Sequence, residues 1–526
     1  MIDTIVERAR IYDGLSAVPI VTDLAIVGDR IALVGDLSDR DAYERVAGDG
    51  LTLAPGFIDV HSHSDELWLA DGRCEGKIRQ GITTEIGGNC GTSVAPLRGL
   101  ARMRKAEEAK AVGVELAWED LDEFFTQVEG NGIALNVATL VGLGTTRRSV
   151  RGDRSGPLEE NEALAQHALV RSGIDQGALG ISSGLIYVPS RYASREELAA
   201  CAAIAREAGM PRYVSHIRDE GDGMLEAVEE ALWIGRSAEV AVQLSHHKAA
   251  WKQNWGKVHR SLAAVERERA RGAVAHADVY PYVAMWTDLD TLLPSDARDD
   301  GRAATLERLA DPEAAAALAL RLELDHAGDW HDIAISRVAS ERNAWTTGQR
   351  LDDIARAWHL SAPRAALRLL REERLEVEAI FFAMNEDDVA TVLSAEFVSI
   401  GSDASARALD GPTARDMPHP RTFGCFPRVF GRFVRGRRTL ELGEAIRRMT
   451  SLAADQFGLA RRGRIEVGAY ADLVLFDAER IVDTATYEHP NAYPEGIECV
   501  WVNGRAVVRG GEPTGARPGR ALRGGR

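Results

Sequence analysis

Cysteine is scarce in this chain and nowhere paired: Cys74, Cys90, Cys201, Cys425 and Cys499 are scattered over 526 residues without a Cys-x-x-Cys. An odd number at such spacing excludes a disulfide framework, so a cysteine that matters here acts as a ligand or a nucleophile. An excess of basic residues is missing too. With 63 Lys+Arg against 80 Asp+Glu the formal charge is -17, which argues against electrostatic binding to nucleic acid or to an anionic membrane. The basic tract is confined to a short Arg/Gly-rich end after Gly519. No apolar run approaches the length of a membrane span, and the start, MIDTIVERARIYDG, lacks the basic and apolar regions of a signal peptide. These absences predict a cytoplasmic protein with neither nucleic acid nor membrane as a partner.

What is present begins with Ala54–Asp65, APGFIDVHSHSD, where an apolar run ends in two histidines spaced one apart. Alternate side chains of an extended chain share a face, so His61 and His63 point the same way and can converge on one metal ion. Similar apolar runs follow in TTEIGGNC, IALNVATLVG, GALGISSGL, RYVSHIRD, VAVQLSHHK, AHADVYPY and FVSIGSDA. Ala/Glu/Arg/Leu-rich helical stretches such as NEALAQHALVRSGIDQ separate them. Strands alternating with helices in this rhythm predict an α/β fold, a (β/α)8 TIM-like barrel over about residues 55–460. The stretch from about 288 to 350 breaks the rhythm and is expected to be an inserted lid over the mouth. Short alternating segments broken by Gly and Asp turns occupy residues 1–54 and return over 461–526. Together they predict one small β-sandwich domain built from both chain termini.

The polar residues at the carboxyl ends of these runs carry the chemistry. His61 and His63 end the first, Cys90 the second, His216 the fifth, His246 the sixth and Asp403 the eighth. In a barrel of this kind active-site groups sit where strands pass into loops. Imidazoles, a thiolate and a carboxylate suit zinc, a borderline-soft ion that takes nitrogen and sulfur ligands, with iron and manganese left open. His247 must face away from His246, so one of the two is a ligand.

The combination APGFIDVHSHSD, GITTEIGGNCG, GALGISSGLIYVPS, YVSHIRDEGD, LSHHKAAWKQNWGK, ADVYPY, GSDAS and PHPRTFGCFPRV resembles the N-acyl-D-amino-acid deacylases (D-aminoacylases) of the amidohydrolase superfamily. The likeness covers nearly the whole chain. It implies that Cys90, His216 and His246 hold one tight zinc, that His61, His63 and Asp403 line a second, weaker metal position, and that Asp403 is the catalytic acid and base. It also implies that Arg421 binds the substrate's α-carboxylate, with Lys248, Tyr187 and Tyr280 beside it. No Lys stands in GALGISSGL to bridge two metals, unlike the hydantoinases and dihydroorotases. Departures fall in the pocket, at Leu143, Met285 and Trp286, and the Trp leans towards an apolar or aromatic substrate side chain. An acidic one would want Arg298 or Arg302. The partner implied is a small-molecule substrate, with a homo-oligomer left open. Another amidohydrolase reaction, on a cyclic amide, a carbamoyl compound or a D-dipeptide, remains the alternative, and a non-enzymatic scaffold has little reason to keep so many polar groups at the mouth.

Overall fold

Each of the eight apolar runs is short and forms a strand. The computed structural model describes residues 1–326, 329–414 and 416–525. The strands are Phe57–Asp59, Ile82–Gly87, Asn136–Thr139 with its continuation Val141–Gly142, Ile181–Gly184, Arg212–His216, Ala241–Leu244, Ala275–Val279 and Val398–Ile400. All their ladders are parallel. The third strand pairs with the second through its first half and with the fourth through its second half. A parallel bridge between Ser62 and Ala404 brings the eighth strand back beside the first, so the ladder forms a ring.

Helices fill the connections, and their ends follow from local chemistry. Ser194 caps Arg195–Glu207 by accepting from the Glu197 amide, and Asn385 caps Glu386–Ser394 in the same way. Glu159 and Glu162 form a reciprocal capping box at the start of Glu160–Asp175. Strand residues alternate between two surroundings. Ile58 and Val60 are buried in one apolar cluster with Ala453, Ala454 and Phe457 of the helix Ser451–Phe457, each side chain worth about 1.5–3 kcal/mol of burial. That parity leaves Asp59, His61 and His63 on the other face.

The terminal segments form one hydrogen-bonded sheet of nine strands, in which Thr52–Pro55 from the start of the chain pairs with Leu473–Phe476 from its end. The ladder divides at Ile2–Ile11, which pairs with Ala42–Ala47 through its first half and with Thr52–Pro55 through its second. The Arg/Gly-rich end is docked, not free: the backbone of Leu522 donates to Val137, Arg520 pairs with Asp29 and Arg523 with Asp122.

Between the seventh and eighth ring strands a separate unit has its own sheet and core. Met285–Asp288 and Ile333–Val338 flank Val377–Phe381, both antiparallel to it. Leu289, Leu322, Ile333, Ile354, Leu369 and Phe381 are buried together beneath them. The unit reaches beyond the expected 288–350 on both sides, because its central strand lies at 377–381. Among the described residues no helix is long and apolar enough to cross a membrane.

Candidate active site

Cys90, His246 and Asp403 each stand just past the end of a ring strand, and each has left-handed backbone, with φ of 51°, 34° and 51°. A non-glycine residue held there costs about 1–3 kcal/mol and persists where the surroundings enforce it, commonly at functional sites. The turns bring these three side chains to one point with His61. Their ligand atoms all lie within 4.8 Å of one another. Cys90 Sγ is 3.3 Å from His61 Nε2 and 3.5 Å from His246 Nε2, and Asp403 Oδ1 is 3.5 Å from His61 Nε2 and 3.1 Å from His63 Nε2. The His216 ring lies 4.4 Å from that of His246 at 84°, and both its nitrogens are buried without a hydrogen-bond partner.

The electrostatics suit a cation-binding site. Burial alone would raise the Cys90 thiol, but His61 and His246 hold it well below its ordinary value. Burial likewise opposes ionisation of Asp403, yet Arg421 and His246 keep its carboxyl well below the usual range. Sulfur, imidazole nitrogen and carboxylate oxygen form a donor set that fits a zinc-like ion, and the unpartnered nitrogens of His216 leave ligand capacity open.

A second group, His216, Glu220 and His246, also has ligand atoms within 4.8 Å. It already contains a cation. Lys248 Nζ lies 2.9 Å from His246 Nδ1 and donates to Glu220, so an ammonium stands where an ion would have to go. Of the two groups, the one on the Cys90 side, which His246 faces with Nε2, is the one left open to an ion.

Arg421 is buried among these groups. Its Nη2 is 3.0 Å from Asp403 Oδ2, and its guanidinium lies 4.5 Å from the centre of the Tyr280 ring. Its Nε and Nη1 are buried and unpartnered. The Tyr187 hydroxyl bonds Thr287 Oγ1 at 2.9 Å, and its ring meets that of His216 edge-on at 5.2 Å. His63, Cys90, His216, His246, Asp403 and Arg421 line one cavity of about 1080 Å³, as do Lys248, Tyr187 and Tyr280. Met285 and Trp286, carried in by the inserted sheet, line it as well, whereas Leu143 is buried outside this lining.

Two carboxylates absent from the sequence reading complete the site. Asp278 Oδ1 lies 3.2 Å from His61 Nδ1 and accepts from the His246 backbone amide at 2.8 Å. Glu220 Oε1 lies 3.0 Å from His246 Nδ1. Each directs the far ring nitrogen towards Cys90, an arrangement that orients metal-binding histidines. Asp278 shares strand parity with Tyr280, a signal the sequence contained. Glu220 lies in the loop beyond the fifth strand, and nothing local marks it.

The model of the amidohydrolase family matches residues 46–508. The N-acyl-D-glutamate deacylase of Alcaligenes xylosoxydans xylosoxydans is 36% identical over 530 residues, covering 99% of this chain and 96% of that protein. The D-aminoacylase of the same organism is 34% identical over 522 residues, covering 99% and 97%. The crystal structure of N-acyl-D-glutamate deacylase from Bordetella bronchiseptica, complexed with zinc and a phosphonate that mimics the tetrahedral intermediate, superposes with a TM-score of 0.84 at 34% identity over 99% of both chains. With ligand-bearing strand ends gathered at one cavity and matches running the length of the sequence, the chain belongs to the amidohydrolase family.

Proposed function

We propose that this protein is a metal-dependent amide hydrolase that converts an N-acyl-D-amino acid and water to a carboxylate and a free D-amino acid, on a (β/α)8 barrel closed by the ring of strands. The observation that carries the reading is the convergence of Cys90, His61, His246 and Asp403 within 4.8 Å, beside a buried guanidinium with two unspent N–H groups. Cys90, His216 and His246 would hold a tight zinc, and His61, His63 and Asp403 a second, weaker metal. A metal bound there supplies Lewis acidity, which lowers the pKa of water from 15.7 to about 7 and polarises a carbonyl.

Asp403 takes a proton from the attacking water and returns it to the nitrogen, which leaves as an amine as the C–N bond breaks. Arg421 can grip the α-carboxylate through Nε and Nη1 while Nη2 stays on Asp403, a two-pronged contact that an ammonium cannot copy. Fixing the carbonyl and the α-carboxylate places two substituents of Cα, so one hand alone sends its side chain into the remaining space. The names of the relatives supply the hand, D. Met285, Trp286 and Leu292 on the cavity wall favour an apolar or aromatic side chain. Arg298 and Arg302 line the same cavity, and Arg302 is engaged by Glu376 at 2.6 Å.

The test is amine release from N-acetyl-D- and N-acetyl-L-amino acids. Misplacement by about 1 Å can cost on the order of 10²-fold in rate, and D over L discrimination of that order is expected. Leucine and phenylalanine derivatives should exceed glutamate. Arg421→Ala should lower kcat/KM sharply, and Arg421→Lys should recover little. Amidating the substrate carboxylate should hurt the wild type far more than Arg421→Ala. Equal sensitivity would remove Arg421 from that role, and absence of turnover on every N-acyl-D-amino acid would sink the assignment.

A further inference from the structure

Lys77 is fully buried, far from the surface where lysines usually lie. Its ammonium donates to Asp59 Oδ2 at 2.8 Å, Ser402 Oγ at 2.8 Å and the Ala404 carbonyl at 3.0 Å, and it pairs with Glu85 Oε1 at 2.9 Å. These partners come from the first, second and eighth elements of the ring, at the seam where the ring closes through the single Ser62–Ala404 bridge.

The contacts bracket two residues of the site. Lys77 holds Ser402 and Ala404, the neighbours of Asp403 on either side. Glu85 accepts from Ser62 Oγ at 2.7 Å and Ser64 Oγ at 2.9 Å, the neighbours of His63, and from Trp68 Nε1 at 2.8 Å. Asp59 accepts from the Ser402 amide at 2.8 Å and from its hydroxyl at 2.6 Å. Across the seam the Asp403 amide donates to the His61 carbonyl at 2.8 Å and the His63 amide to that of Ala404 at 3.2 Å. Lys77, Glu85, Asp59 and Ser402 do not line the substrate cavity, whereas His63 and Asp403, whose turns they hold, do.

We propose that Lys77, with Glu85, is a positioning residue for catalysis: the pair registers the turn carrying His63 against the turn carrying Asp403, and so sets the direction in which the Asp403 carboxylate points. One ammonium bonded to both turns fixes their relative height. Without it the left-handed backbone at Asp403 loses the contacts on either side that enforce it. This rests on Asp403 being the proton carrier.

The test is a double-mutant cycle on the zinc-loaded enzyme with an N-acetyl-D-amino acid. Lys77→Met should lower kcat about 10- to 100-fold and shift KM by less than about threefold, with the tight zinc still stoichiometric. In the Asp403→Asn background the same change should alter kcat by less than about twofold, since the group it positions is already gone. A full-sized fall in that background would show Lys77 acting elsewhere and overturn the proposal, as would an unchanged kcat in Lys77→Met alone. A near-normal rate in Asp403→Asn by itself would instead defeat the assignment of Asp403. Should Lys77→Met fail to fold, Ser402→Ala removes a single hydroxyl from the network, and Lys77→Met/Glu85→Gln removes the ammonium together with one of its two carboxylate partners. Each should fold and lose about tenfold in kcat, and wild-type kcat in either folded variant would overturn the proposal.

Discussion

Two buried clusters of charge lie within a few residues of each other, one around Cys90 and one around Lys77, and they differ in how completely their polar atoms are used. In the first, both nitrogens of His216 and the Nε and Nη1 of Arg421 are buried without a hydrogen-bond partner. In the second, Lys77 spends its three N–H donors on Asp59, Ser402 and Ala404 and pairs with Glu85, which takes bonds from two serines and a tryptophan. A buried polar group without a partner costs about 1–3 kcal/mol, so a cluster with several of them is costly unless something else binds there. Incomplete bonding beside a cavity marks the cluster that receives ligands. Complete bonding beneath it marks the cluster that holds the turns.

The sharpest way to break the contrast is Cys90→Ala, which would remove one of the ligands proposed for the tight metal. Zinc content should collapse and turnover with it, as should follow chelation of the wild type, whereas Cys201→Ala, buried in a helix away from the cavity, should leave both intact. Full zinc in the Cys90 variant would reverse the assignment. Next comes Asp403→Asn, which keeps the shape but cannot carry a proton. It should lose about 10²–10⁴-fold in kcat and retain the tight zinc, as metal analysis beside steady-state rates will show.

Glu220→Gln sharpens the contrast at smaller scale. The Lys248 ammonium and the nearby imidazoles keep the Glu220 carboxyl well below its ordinary range despite burial, and the carboxylate steers His246. Its loss should weaken metal affinity about 10- to 100-fold in a competition titration with a chelator. Unchanged affinity would mean that His246 is held by Asp278 alone.

The smallest effect belongs to an ion pair outside both clusters. Hydrogen bonds from Arg432 and Arg437 lower the Glu386 carboxyl to about 2. A depressed carboxylate stabilises the fold at pH values above its unfolded value near 4.5, and that contribution fades as pH falls towards about 2. Because the pair is partly solvated, Glu386→Gln should cost only about 1 kcal/mol or less at pH 7 in urea unfolding. The gap from wild type should narrow between pH 5 and pH 3. A gap that widened would contradict the sign.

Legibility in the sequence followed the range of the interaction. The eight runs and the residues ending them could be read because strand parity is local: His61 and His63 share a face whatever surrounds them. Cys90 and Asp403 were found because each closes an apolar run. Lys77 and Glu85 escaped, since a lysine in RCEGKIRQ and a glutamate in TTEIGG resemble ordinary surface charges until the ring closes over them. The extent of the inserted unit escaped for a similar reason. Its central strand, VEAIF, has partners 39 or more residues away by number, at Ile333–Val338 and Met285–Asp288.

By itself, then, the sequence determined the alternation of strands and helices, the likeness to the deacylases and the residue types available to a metal, because period and residue chemistry are properties of short stretches. Tertiary structure alone decided that Lys248 and Glu220 neutralise each other beside His246, that Arg421 reaches Asp403 with part of its guanidinium unspent, and that Lys77 clasps the closing seam. Those are choices of partner between groups distant in the chain. They exist only once folding has excluded water and left each buried charge to find what remains within reach.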